Sequence, residues 1–190
     1  MTMLIFGMIL FFGAHSVSIV AHPLRERLVA SMGAATWKGL YSLVSLGGLL
    51  LMISGYSVLR LEPHLVYVPP AGLRHAAALL MLPVFPLLLA TYLPGRIRRI
   101  AKHPMLVAVK FWALAHLLAN GMLADVLLFG GFLAWAIADR ISLKRRVPRP
   151  SPAASERPYN DAIVIVVGLA LYGAFAMLWH VRLFGVAPFG

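Results

Sequence analysis

The chain has 190 residues, 61% of them hydrophobic and only 12% charged, with a mean hydropathy of +0.86 and a net charge of +11. Soluble domains carry about a quarter charged residues, so the composition excludes an ordinary soluble domain and indicates an integral membrane protein. The basic excess sits in short connections between apolar runs, where it acts as a topology signal rather than a nucleic-acid surface, and the absence of cysteine excludes disulfides, thiolate catalysis, iron–sulfur clusters and zinc–thiolate sites.

Taken in order, residues 2–21 form the first apolar run. It is long enough to span a bilayer and lacks the preceding Lys or Arg of a cleaved signal peptide, so a retained helix is expected, ending at His22–Pro23. Residues 23–39 read as a short surface-lying helix. The second span covers about 40–59, with Trp37 and Tyr41 at one end and Tyr56 at the other as an aromatic belt. Residues 60–74, with Pro63, Pro69 and Pro70, are expected to be irregular. The third span, about 75–93, contains Pro83 and Pro86, which free backbone carbonyls and bend the helix. A basic loop, PGRIRRIAK, leads into the fourth helix within KHPMLVAVKFWALAHLLANG, residues 102–121. Pro104 marks its start, because the amide hydrogen it lacks needs no partner in a first turn. Asn120 and Gly121 make a tight break before the fifth run, about 123–138, which predicts an antiparallel hairpin of helices four and five. Residues 139–161 form a basic loop rich in Pro and Ser, expected to be solvated and mobile, and the last span covers about 162–179.

The connections after spans one, three and five carry three, four and six Lys or Arg; those after spans two, four and six carry two, none and one. The positive-inside rule therefore sets the odd connections in the cytoplasm and both termini on the opposite side of the membrane. The expected fold class is all-α: a polytopic membrane helical bundle of about six transmembrane helices forming one domain over residues 1–190.

Of seven histidines, His22, His64, His75, His103 and His180 fall at the ends of spans, where an interfacial histidine needs no special role. His15 and His116 lie inside apolar runs, and His116 is thirteen residues beyond His103, about 20 Å along a helix. An ionisable ring at that depth is a functional-site hypothesis by default. A purely structural interhelical hydrogen bond is the first reading. The second is a low-spin haem held from both sides, because each ring shares a helical face with flat aromatics: His15 with Phe11, Phe12 and Ser18, His116 with Trp112 and Asn120.

The FGAHS segment at 12–16, HPM at 103–105, WALAHLLANG at 112–121 and the basic end of span five together resemble the NnrU family. These are small bacterial inner-membrane proteins associated with denitrification and nitric oxide metabolism, related to the plant and cyanobacterial 15-cis-zeta-carotene isomerase. The resemblance runs through about Arg146. In the isomerase relatives a haem b is held by two histidines, which match His15 and His116 here. The resemblance implies metal ligation by those two residues and a redox-gated reaction on an apolar polyene. Phe12, Trp112 and Asn120, which share their faces, and Lys102 and His103 at the entry to the fourth helix are the expected cofactor contacts, with Lys102 and Arg25 on one side or Arg74 on the other as cations for the propionates. The family usually has arginine before the His-Pro; Lys102 keeps the charge but not the guanidinium fork.

The His-Pro followed by a helical hairpin also resembles membrane methyltransferases that use S-adenosylmethionine. Those carry paired acidic residues after the last helix, whereas this chain has ADRISLKRR with Asp139 alone, so this reading ranks below haem. A non-enzymatic sensor or assembly partner is the third class. Membrane lipid is the one partner expected in every case.

Overall fold

A computed structural model of the protein describes residues 1–145 and 153–188. Its helices are α1 (Thr2–Val20), α2 (His22–Met32), α3 (Ala34–Leu59), α4 (Leu73–Met81), α5 (Val84–Ala90), α6 (Arg96–Ala101), α7 (Pro104–Ala119), α8 (Leu123–Leu143), α9 (Asn160–Ala174) and, after a π-helical turn over Phe175–Trp179, α10 (His180–Phe184). Among the described residues there is no strand, only an isolated bridge from Leu65 to Met122. Among the described residues, five helical stretches are long and apolar enough to cross a membrane: α1, α3, α4 with α5, α8, and α9 through α10. The sixth apolar helix, α7, has 16 residues and rises about 24 Å, short of the roughly 30 Å hydrocarbon layer. The protein is an all-α polytopic membrane protein.

The helices sort into two packing units. One comprises Met1–Val66 together with α8; the other comprises Tyr67–Gly121 together with α9 and α10. The link between α7 and α8 spans residues 120–122. Its two helices belong to different units: α7 packs on α4 and α5, α8 on α1 and α3.

In the first unit, α1 lies along α3 at backbone distance. A Cβ on Gly7 would meet the Met52 nitrogen at 2.6 Å, one on Gly48 the Phe11 nitrogen at 2.7 Å, and one on Gly55 would overlap the Leu4 nitrogen. In lipid, where apolar burial alone does not drive helices together, such small-residue seams let whole backbones make dispersion contacts. Leu4, Met52, Leu59 and Ala124 form the core beneath, with Met8, Phe11, Tyr56 and Phe132 packed against it. The second span starts earlier than expected, at Ala34, because the chain turns at Gly33, whose φ of +85° suits glycine.

Asp125 is buried in this unit. One carboxylate oxygen accepts the Tyr56 hydroxyl at 2.6 Å and the other the Met122 backbone N–H at 3.2 Å, so it caps α8 and ties it to α3. Asp125→Ala leaves two half-buried donors unpaired and is expected to cost about 2 kcal/mol, lowering the thermal midpoint in detergent. Asp125→Asn, keeping one acceptor, should fall between the two; a midpoint unchanged by alanine would show the network to be inert.

In the second unit, Pro83 splits the third span into α4 and α5, as expected of its prolines. Val84, Leu87 and Ala108 form the core, and α9 closes on α5 where a Cβ on Gly168 would lie 2.6 Å from the Pro86 nitrogen. The basic loop expected at 94–102 folds instead into the short helix α6. Its free N–H groups are met from the start of α9: Asp161 accepts from Arg96 N (2.8 Å) and Ile97 N (3.0 Å). Buried Asn160 donates to the Pro94 and Ser155 carbonyls, Ala154 N to Tyr92 O, and Arg99 pairs with Glu156 at 3.0 Å. The far end of the loop expected to be mobile is thus anchored over 154–161; residues 146–152 lie outside the described ones. The loop itself is shorter than expected, because α8 runs on through Asp139 and Arg140 to Leu143.

Candidate functional site

His15 sits where α1, α3 and α8 meet, near the ends that carry Lys38 and Arg140. Phe11, one turn earlier on α1, stacks on its ring at a centroid distance of 4.1 Å; Tyr41 of α3 lies at 5.1 Å, and Trp135 of α8 stands perpendicular at 5.8 Å. The ring Nδ1 is 2.7 Å from the Phe11 carbonyl. A carbonyl can only accept, so Nδ1 carries the hydrogen and Nε2 holds the lone pair. Phe12 stacks on Trp135 at 6.2 Å and meets Phe132 edge-on, in the space left by Gly131.

His116 has the same local arrangement in the other unit. Its Nδ1 lies 2.8 Å from the Trp112 carbonyl and its ring 5.4 Å from the Trp112 indole, so Nε2 is again the basic nitrogen. Trp112 packs on the Val84–Leu87–Ala108 core, which fixes the turn. Beyond His116 the end of α7 is fastened twice. Asn120 donates its amide to the His116 carbonyl at 3.0 Å, and Tyr67 donates its hydroxyl to the carbonyls of Leu117 and Asn120. The Asn120 amide thereby serves the helix end. Tyr67 N also bonds Gly121 O, and no side chain fits at Gly121 against the Tyr67 carbonyl.

Lys102 and His103 form the entry to α7. Lys102 is exposed and, alone among the described non-glycine residues, has positive φ (+60°, with ψ −45°). The His103 N–H bonds Ala101 O at 2.6 Å across it, a tight γ-turn. Such a backbone costs on the order of 1–3 kcal/mol and persists only where its surroundings hold it; here Arg98 O takes the Lys102 N–H and Pro104 opens the next helix.

Sequence reasoning named His15, Phe12, His116 and Trp112; Trp112 and His116 meet on α7, whereas on α1 it is Phe11 that stacks on His15 while Phe12 turns to Phe132 and Trp135. It passed over Trp135 and Asp125, although an acid three residues into an apolar run is a signal in itself. It took Tyr41 for a belt residue. It also missed Lys110, a half-buried cation inside α7 whose stem is long enough to return its charge toward the basic end. Among the described residues no three of His, Asp or Glu gather as a metal-ligating cluster; the candidate ligands are single histidines.

In comparisons with known proteins, the model of the NnrU protein family matches residues 3–188. No curated protein matches the chain, and no solved structure does. A match of that extent takes in both histidine-bearing helices and both packing units, and the protein belongs to the NnrU family.

Proposed function

We propose that this NnrU-family protein binds haem b in the bacterial inner membrane, with His15 and His116 as axial ligands and both termini on the periplasmic side. One observation carries the reading: the two histidines inside apolar runs share one preparation, with Nδ1–H on the carbonyl one turn back and a flat aromatic beside the ring. That bond sets the tautomer in which Nε2 ligates, and it raises the basicity of the ligand. The donor set fits the group, for neutral imidazoles are standard haem ligands.

The chain's own residues then divide the work. Phe11 and the Trp112 turn fix the two ring orientations, Phe12 and Trp112 supply flat apolar walls, and Asn120 with Tyr67 holds the end of α7. Lys102, kept by its γ-turn beside His103, offers a cation for a propionate. When bound, haem supplies one-electron chemistry and, once a protein ligand leaves, an open coordination position. The activity we favour is a redox-gated, isomerase-like step on an apolar substrate such as a polyene, or a link to nitric oxide handling in denitrification.

A pyridine haemochrome assay on detergent-purified protein is expected to return haem b, with the low-spin spectrum of a six-coordinate iron. Protein that carries no haem and binds S-adenosylmethionine would replace this reading with the methyltransferase one. Isomerisation of a supplied polyene under reducing but not oxidising conditions would favour an enzyme; its absence from haem-loaded protein, a sensor.

A further inference from the structure

The aromatic cage around His15 contains polar atoms that the protein itself does not satisfy. The indole Nε1–H of Trp135 is buried with no acceptor. The hydroxyl of Ser45 is buried with no partner at full hydrogen-bond geometry, and the Tyr41 hydroxyl one turn back on α3 is the group it interacts with. These are the two buried side-chain polar atoms in that condition among the described residues. An N–H left so typically costs a protein about 1–3 kcal/mol, and buried orphans of this kind call for an explanation such as a missing ligand. Both belong to helices that contact His15: Trp135 crosses its ring at 90°, and Tyr41 lies 5.1 Å from it. A tryptophan only donates, and the chemistry that answers a donor in an apolar cage is an acceptor-only group, an ionised carboxylate above all. The cage also lies toward the end of the unit where α2, α3 and α8 carry Arg25, Lys38, Arg140 and Lys144. Glu26, paired with Arg25, and Asp139, whose carboxylate acts on His15 and Tyr41, stand at the same end, which remains net basic.

We propose that Trp135 donates its indole N–H to a propionate carboxylate of the haem held at His15, with Ser45 as a second donor. This rests on the haem reading above, and it assigns the propionate edge to the basic end of the first unit. Trp135 is then a binding residue rather than a wall, and Phe12, stacked on it at 6.2 Å, is what keeps the indole in place.

The test is the rate at which haem leaves purified holoprotein for an excess of a haem-scavenging apoprotein. Trp135→Phe keeps a flat ring against Phe12 and His15 and deletes only the donor. It is expected to release haem about tenfold faster, as loss of a hydrogen bond to a charged group implies, with the low-spin absorption unchanged. Both proteins are then loaded with the dimethyl ester of haem, whose propionates carry no charge. The difference between them should shrink to about threefold or less. Equal release rates with ordinary haem, or a difference undiminished with the diester, would overturn the proposal and leave Trp135 a packing residue. Should Trp135→Phe fail to accumulate, Trp135→Tyr, which keeps a flat ring and lacks the indole N–H, carries the same comparison. A wild-type protein that takes up no haem would defeat the ligand reading itself, an outcome separate from haem-loaded protein indifferent to Trp135.

Discussion

If His15 and His116 hold haem as proposed, alanine at either is expected to remove the low-spin haem spectrum of the purified protein and to lower its haem affinity at least tenfold, while the polypeptide still inserts. The size of the effect reflects the role. Outer-shell partners of metal ligands already cost about 10–100-fold when removed, and an axial ligand acts on the iron directly. Survival of the fold rests on the hydrogen bonds. The Phe11 and Trp112 carbonyls that take the two Nδ1–H groups lie in continuous helices, where each still receives a backbone N–H from four residues on. Losing the imidazole therefore strands no backbone group. Added imidazole should enter the vacated space and restore the low-spin absorption, which a collapsed variant would not allow. His64→Ala and His75→Ala, both at exposed positions, serve as controls and should leave the spectrum as it is. An unchanged low-spin spectrum in both the His15 and His116 variants would sink the assignment of ligands.

The range of each interaction decides whether it could be seen in advance. Apolar runs and basic connections are local in the chain, so the membrane class and the order of the apolar helices were legible. So was the break at Pro83, since a missing N–H acts on its own helix. The α6 cap was not: Asp161 reaches Arg96 and Ile97 from 65 and 64 residues away, and PGRIRRIAK alone shows only a basic stretch. The γ-turn at Lys102 escaped because lysine carries no preference for positive φ. At the candidate site, Phe11 and Trp112 were within reach as i−4 neighbours, whereas Tyr41 and Trp135 come to His15 from other helices. Nothing local separates an aromatic at a membrane surface from one turned inward.

The seam between α1 and α3 makes the sharpest test of how the fold supports that site. The chain has 16 glycines, and composition treats Gly47 and Gly48 alike. The packing does not. Around a Cβ on Gly47 there is nothing within 4 Å, while one on Gly48 falls 2.7 Å from Phe11 N and 3.0 Å from Gly7 O. Those are backbone atoms, unable to swing aside, so a side chain there must push α1 off α3. Leucine at Gly48, or at Gly55 where the Leu4 backbone stands in the way, is expected to destabilise the first unit by about 3 kcal/mol or more, at the upper end for overpacking. Leucine at Gly47 should be neutral or slightly stabilising, since glycine is about 0.8–1 kcal/mol poorer than a good helix former. Thermal melting in detergent reads the contrast, and equal midpoints for the Gly47 and Gly48 variants would refute the seam. The same displacement reaches the chemistry, because Phe11, which Gly48 touches, stacks on His15 and accepts its Nδ1–H. Gly48→Leu should therefore disturb the haem spectrum more than Gly55→Leu does, since Gly55 meets α1 at Leu4, far along the helix from His15.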